Sequence, residues 1–131
     1  MRCLYLLFIL VLCGCSPLDV NSAQEEVSRF HKFYQRGKYI DLYNGASKTL
    51  QESISESDFI NVLKRAEVTD LGKFQKTTLK SEKKIKHLIG SDEVVLIYTS
   101  VYSKRIVQET FAFEKINESM KLKGYKYDSI N

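Results

Sequence analysis

The 131-residue chain has no tryptophan, one proline, two histidines and three cysteines. Two of the cysteines, Cys13 and Cys15, lie close together, and none follows Cys15. An intrachain disulfide framework is therefore excluded from the long region after that residue. The sequence also contains no glycine-rich phosphate loop and no nucleophile elbow, and no pair of cysteines after Cys15. Most nucleotide-binding proteins and hydrolases carry such a motif.

Size and charge set further bounds. A chain of this length is enough for one domain, and such a domain buries a normal core without disulfides or metals. The composition, 44% hydrophobic and 27% charged, is ordinary for a soluble globular protein. The formal net charge of +4 is a mild surplus, whereas nucleic-acid binders usually carry a stronger and more clustered one. We expect no nucleic-acid partner.

The most apolar segment lies at the N-terminus, where an unbroken run from Leu4 to Leu12 follows Met1 and Arg2. About a dozen residues form a helix of roughly 18 Å, whereas a bilayer core needs about 20 residues. A positive start, a short apolar middle and small residues before a break are typical of a secretory signal peptide.

The break itself, Leu12-Cys13-Gly14-Cys15, resembles the lipobox of bacterial lipoprotein precursors. The resemblance implies that residues 1–14 are removed, that a diacylglycerol is attached to the Cys15 thiol, and that the freed amine is a further site for an acyl chain such as palmitate. Two alternatives stay open. One is a plain signal peptide followed by an incidental cysteine, and the other is a Cys-x-Cys metal or redox motif, which lacks ligands nearby.

The lipobox also implies a location and domain boundaries. In Gram-negative lipoproteins, an aspartate after the lipidated cysteine favours the inner membrane, whereas this chain has Ser16. We therefore expect an exported protein on the periplasmic face of the outer membrane, if the source has two membranes. Residues 15–21 are assigned to the lipidated cysteine and a short tether, and residues 22–131 to a single domain.

The periodicity of the mature chain predicts helices first and strands afterwards. Ser22 to Glu25 reads as a capping box that opens a helix, Lys38 to Ala46 as a second helix, and Ser55 to Asp58 as the start of a third. After Gly72 the pattern alternates, and four strands are predicted at about residues 73–87, 94–103, 106–116 and 120–130. The prediction is an α+β fold with about three helices packed on one curved antiparallel sheet of about four strands.

A series of short motifs runs through residues 23–130. They are Gly37-x-Tyr39, Leu42-Tyr43, Ala46-Ser47, Leu71-Gly72, Glu109-x-Phe111 and Leu122-x-Gly124-Tyr125. In this order and spacing they resemble a family of short exported bacterial proteins of unknown function with a nuclear-transport-factor-like (cystatin-like) cone. The wider superfamily includes ketosteroid isomerase and other enzymes that use an Asp or His inside the cone as a base, beside many non-enzymatic binding and assembly domains. No catalytic motif of those enzymes is matched here, so the resemblance implies a fold and assigns no catalytic residue.

Glu109 is the candidate ligand-binding or catalytic acid, because strand parity places it on one face with Val107, Phe111 and Phe113. A carboxylate on an apolar stripe inside a cone would have a raised pKa and could bind a ligand or act as a base. The alternative is that Glu109 pairs with a lysine or packs at the rim of the sheet. The candidate pocket built around it consists of Tyr98, Tyr102, Glu109, Phe111 and Tyr125. The alternative for the tyrosines is ordinary sheet core.

Six lysines form the densest charge cluster of the chain, with Glu82 as the only acid among them. On a short tether they are candidates for contact with anionic lipid head groups. The alternative is a solvated edge strand that its lysines protect from aggregation. The cluster consists of Lys73, Lys76, Lys80, Lys83, Lys84 and Lys86.

The two histidines, His31 and His87, are expected at the surface or rim, because no carboxylate company for a metal or acid–base site is evident. No metal and no cofactor is predicted. The chain is thus predicted to be a cell-envelope lipoprotein with a non-enzymatic binding or assembly module. The alternatives are a small-molecule-binding or enzymatic cone with an acid in its pocket, and a structural envelope component. Expected partners are the membrane, an envelope protein and a second copy of the chain, bound through the outer sheet face.

Overall fold

The computed structural model describes residues 18–130. The predictions on the signal peptide, the lipobox residues Leu12, Cys13 and Gly14, and the lipidated Cys15 lie outside the described residues. Within them, helices precede an antiparallel sheet of four strands, which confirms the α+β class. The helices are α1 (Leu18–Gln35), α2 (Tyr39–Asn44), α3 (Lys48–Ser53) and α4 (Glu56–Arg65), followed by a π-helical turn (Ala66–Asp70). The strands are β1 (Phe74–Ile85), β2 (Glu93–Tyr102), β3 (Ile106–Ile116) and β4 (Ser119–Ser129).

Helix α1 is the element that packs on all four strands. Its buried residues recur at helical spacing, with Ala23, Val27, Phe30 and Tyr34 forming one apolar stripe against the sheet. Burying these side chains stabilises the domain by roughly 1.5–3 kcal/mol for each large one. None of the described helices is both long and apolar enough to cross a bilayer.

The start of α1 differs from the prediction. The helix begins at Leu18, so Ser22 lies inside it and caps nothing, and residues 18–21, which were assigned to the tether, belong to the folded body. The reason is Val20, which is buried three residues before Ala23 and extends the apolar stripe of the helix by one turn. About three helices were predicted and four α-helices are described; the additional one is α3.

The predicted start of α4 is confirmed. The Ser55 side chain accepts a hydrogen bond from the backbone N–H of Asp58 at 3.2 Å, as an N-cap does. The missed helix α3 begins in the same way, with the Ser47 side chain accepting from the backbone of Leu50 at 3.3 Å. Helix α1 ends at Gln35, and Gly37 follows it with a φ of +67°.

The sheet is a simple meander in the order β1-β2-β3-β4, so β1 and β4 are its edges. Its inner face packs against the helices. In the central strand β3, Glu109 pairs with Tyr98 of β2 and with Tyr127 of β4, and the neighbouring Phe111 pairs with Tyr125. The register shifts between the pair Ala112–Gly124 and the pair Phe113–Leu122, which places a β-bulge in the last strand next to Gly124. This register brings a carboxylate and several tyrosines together on the inner face.

Candidate functional site

Glu109 lies in the middle of the inner sheet face and is fully buried. Its Oε1 is 2.8 Å from Nε2 of His31, and its Oε2 accepts hydrogen bonds from the hydroxyl of Tyr102 at 2.8 Å and from the hydroxyl of Tyr125. A carboxylate only accepts, so Nε2 of His31 carries the donated proton. Both oxygens of the buried acid are thus engaged by side chains of the same chain. We call Glu109, His31, Tyr102 and Tyr125 the carboxylate cluster.

The donors set the charge state of the acid. Burial alone would raise the pKa of the Glu109 carboxyl, but the hydrogen bond and the charge of His31, together with the Tyr125 hydroxyl, lower that pKa below its ordinary value of 4.5. The pKa values of Tyr102 and Tyr125 are raised, first by burial and then by the carboxylate, so both hydroxyls stay protonated. The predicted face of Glu109 is right. The predicted raised pKa of Glu109 is wrong, because the hydrogen-bond donors lower the pKa by more than burial raises it. The two alternatives, a lysine partner and a position at the rim of the sheet, are also wrong.

His31 corrects a second expectation. It is buried rather than at the surface or rim, and it faces a carboxylate that lies 78 positions further along the chain. Its ring stacks on Phe74 of β1, with centroids 3.9 Å apart and planes 6° apart. Helix α1 and strand β1 therefore fix the ring while β3 supplies its partner. The sequence holds a signal for this burial, since His31 follows Val27 by four residues on the apolar stripe of α1.

The other residues of the predicted pocket lie on the same inner face, but the space between them is filled. Tyr98 is buried and packs edge to face against Phe111, with centroids 5.8 Å apart. Tyr125 and Phe111 are in contact at 5.0 Å between centroids. The region around Glu109 is therefore a packed core with a hydrogen-bonded acid inside it.

Three further hydrogen bonds hold the segment that precedes β1 against the rest of the domain. The Tyr34 hydroxyl donates to the carbonyl of Gly72 at 2.9 Å, and the Tyr127 hydroxyl donates to Asp70 at the same distance. The Tyr39 hydroxyl donates to Glu67 in the π-helical turn. These bonds connect α1, α2 and β4 to the segment that leads into β1. Their geometry suits a structural role.

An apolar groove of about 320 Å³ opens beside α3, α4 and β4. Leu50, Ile54 and Phe59 line its walls, and Tyr125 contributes one side. Its volume lies at the lower end of the range for small-molecule sites. Tyr125 connects this groove to the carboxylate cluster, because the same side chain lines the one and donates to the other.

The predicted lysine cluster follows the edge strand β1. All six side chains are exposed, with Lys73 just before the strand and Lys86 just after it. Lysines on an edge strand also hinder pairing with another sheet. His87 is exposed at the end of the cluster, and its Nε2 is 3.2 Å from a carboxylate oxygen of Glu93. Within residues 18–130, no three His, Cys, Asp or Glu side chains are arranged to hold a metal ion.

No protein-family model matches the sequence, and no curated protein matches it either. Among solved structures, the chain is similar to the one titled "Structure of Bdellovibrio bacteriovorus Bd1075", at 11% sequence identity and a TM-score of 0.46. The similarity covers 88% of this chain and 44% of that chain, so this chain spans less than half the length of that protein. The nuclear-transport-factor-like assignment stays a prediction.

Proposed function

We propose that this protein is a lipid-anchored lipoprotein of the cell envelope, and that its domain is a non-enzymatic binding or assembly module with a nuclear-transport-factor-like cone. The observation that carries the anchor is Leu12-Cys13-Gly14-Cys15. In a two-membrane envelope, Ser16 favours the periplasmic face of the outer membrane.

The position of α1 is consistent with an anchor at Cys15. The helix begins three residues after that cysteine and already buries Val20 in the core. Three residues reach at most about 11 Å. A lipid on Cys15 would therefore hold the domain directly against the bilayer. Two or three acyl chains would make that attachment stable, whereas one chain gives only weak binding.

The chemistry of the carboxylate cluster supports a role without catalysis at Glu109. A general base works best with a pKa near the working pH, whereas the pKa of Glu109 is lowered. The carboxylate is also fully buried, and its two oxygens already accept three hydrogen bonds. Binding to a partner would therefore use the surface of the domain.

Small-molecule binding is the second candidate, and the observation in its favour is the apolar groove beside Tyr125. Glu109 is not among the residues that line this groove, so the acid expected in the pocket is separated from it by the Tyr125 ring. A ligand there would be small and largely apolar, as the walls are.

The anchor is tested by replacing the predicted lipidated cysteine in the full chain. Cys15→Ser is expected to leave an uncleaved precursor without lipid, measured by the mass of the purified protein and by incorporation of labelled palmitate in a bacterial host. Cys13→Ser is the matched control, since the second lipobox position accepts small residues, and it should be processed and lipidated normally. Cleaved, lipid-free protein from the wild-type sequence would contradict the anchor.

The assembly hypothesis has its own measurement. The outer sheet face retains half-buried aliphatic side chains at Val95, Ile97 and Val101, in the alternating pattern of β2. If a second copy covers them, sedimentation equilibrium of the protein in detergent gives a dimer mass that Ile97→Lys returns to that of a monomer.

A further inference from the structure

The tip of the loop between β1 and β2 carries two aliphatic side chains in full contact with solvent. Leu88 is 106% exposed and Ile89 is 94% exposed, whereas the next most exposed large hydrophobic residue described, Val68, is 65% exposed. Gly90 follows with a φ of +100°, which turns the chain back towards β2. Adjacent aliphatic side chains on a protruding turn receive no packing energy from the domain itself.

This loop lies at the same end of the body as the start of α1. Asp19, in the first turn of the helix, is 3.2 Å from Nζ of Lys115. The backbone N–H of Lys115 donates to the carbonyl of Asp92, at the end of the loop, at 2.9 Å. Asp19, Lys86 and Asp92 also line one small cavity. The chain that leads back to Cys15 therefore starts beside the base of this loop.

The strand that leads to the tip is strongly positive. Residues 73–87 contain six lysines and one glutamate, a formal charge of +5. The lysines closest to the tip in sequence are Lys83, Lys84 and Lys86, all exposed. Two of the five acids at this end are in ion pairs: Asp19 pairs with Lys115, and Glu93 pairs with Lys123 and His87. Glu114 lies opposite Glu93 on β3. The Asp92 carboxylate accepts from the His87 backbone at 3.4 Å, and Glu118 is exposed on the β3–β4 turn.

An apolar tip at the end of a lysine-rich strand is complementary to the interface of an anionic bilayer. Aliphatic side chains gain by leaving water for the region between head groups and acyl chains, while lysines gain by lying at the level of the phosphates. A protein partner would use the aliphatic pair equally well. The short reach from Cys15 is what favours the membrane.

We propose that Leu88 and Ile89 insert into the anionic bilayer that holds the Cys15 lipid, with Lys83, Lys84 and Lys86 on its head groups. This inference rests on the proposed lipid anchor. It gives the domain a second membrane contact and a fixed orientation. The opposite end of α1, with Gly37 and the bonded Tyr39, faces away from the membrane.

The test places an environment-sensitive fluorophore on a cysteine at the tip of the full chain. Leu88→Cys is compared with Lys38→Cys, an exposed position beyond the far end of α1, both in a Cys3→Ser and Cys13→Ser background. The lipidated proteins are reconstituted into phosphatidylcholine vesicles with or without phosphatidylglycerol. We expect a blue-shifted emission and quenching by brominated lipids at position 88 in anionic vesicles, and neither effect at position 38.

Charge supplies an independent readout. Replacing Lys83, Lys84 and Lys86 with glutamine should lower the docking equilibrium by roughly fivefold for each lysine, and added salt should act in the same direction. These side chains are exposed, so the circular dichroism spectrum should not change. A fluorophore at position 88 that stays as exposed to water as the one at position 38 would overturn the inference.

Whether Cys15 is lipidated is measured independently of the fluorescence, by the mass of each purified protein. If that mass shows no lipid, the proposed function fails. The same two cysteine variants are then labelled with Cys15 also replaced by serine, and the full chains are mixed with the same vesicles. Equal water exposure at positions 88 and 38 would then overturn the docking tip as well, whereas insertion at position 88 alone would support the tip without the anchor.

Discussion

At the scale of single residues, the carboxylate cluster shows what strand parity alone predicts. Alternation along β3 is enough to place Glu109 among Val107, Phe111 and Phe113, and the structure confirms that face. Parity carries no information on the opposite layer, from which His31 comes. The pKa of Glu109 depends on His31, which strand parity does not reveal. Parity therefore predicts a raised pKa where the pKa is lowered.

Glu109→Gln is expected to destabilise the domain by about 3 kcal/mol at neutral pH, as removal of one member of a buried pair does. The amide would present N–H donors to a site built of donors, and it would remove the charge that faces His31. Urea unfolding followed by circular dichroism measures the change. Glu52→Gln, at an exposed position on α3, is the control and should change stability by less than about 0.5 kcal/mol.

The loss of stability in Glu109→Gln is expected to depend on pH. The pKa of Glu109 is lower in the folded state than its ordinary value of 4.5. Its stabilising contribution is therefore complete above that ordinary value and is lost as the pH falls through the folded pKa. The stability gap between wild type and Glu109→Gln should therefore narrow below about pH 4. A gap that stays constant down to acid pH would contradict the lowered pKa.

At the scale of elements, the passage into the sheet depends on one backbone position. Gly72 has a φ of +80°, and its carbonyl accepts the Tyr34 hydroxyl. A Cβ there would collide with the Ser103 side chain, whose Oγ accepts from the backbone of Lys73 at 2.8 Å. The sequence pattern predicts that the helical part of the chain ends at Gly72 and that strands follow it. The collision depends on the β2–β3 turn folding back to it, which sequence pattern does not reveal.

Gly72→Ala is expected to cost more stability than a positive φ alone explains. Gly37→Ala is the matched control, because Gly37 has a φ of +67° but nothing within 4 Å of an added Cβ. The control should lose about 1–2 kcal/mol from backbone strain. The Gly72 variant should lose at least about 1 kcal/mol more from the collision, measured as the difference in urea unfolding free energy. Equal losses would show that Ser103 moves aside freely.

Element boundaries show where sequence patterns fail for a physical reason. Ser22 begins a Ser-x-x-Glu pattern, and an isolated peptide would use it as a cap. In the protein, burial of Val20 favours one more helical turn over that cap. Tertiary packing therefore overrode a correct local signal.

At the scale of the whole molecule, stability is distributed unevenly over the sheet. Strands β2 and β3 are central and covered by α1, whereas residues 80–85 of β1 form an edge whose side chains are almost all exposed. Few apolar contacts hold such a segment, so it should open without unfolding the rest.

Native-state hydrogen exchange should show this difference. Amides in Val94–Tyr98 of β2 that bond to β3 are expected to exchange only through global unfolding, whereas those in the last third of β1 should exchange by local opening at least about tenfold faster. Added denaturant should accelerate the first group and leave the second nearly unchanged. Uniform protection along both strands would contradict a locally opening edge.

The placement of α1 has a mechanical consequence. The helix starts three residues after Cys15 and packs on every strand of the sheet. A pull between the proposed anchor and a partner bound beyond the Gln35 end of α1 would enter the domain at Leu18 and run along the helix axis. Such a load shears the whole helix–sheet interface at once instead of peeling one strand from the edge, and many contacts must yield together before the domain extends.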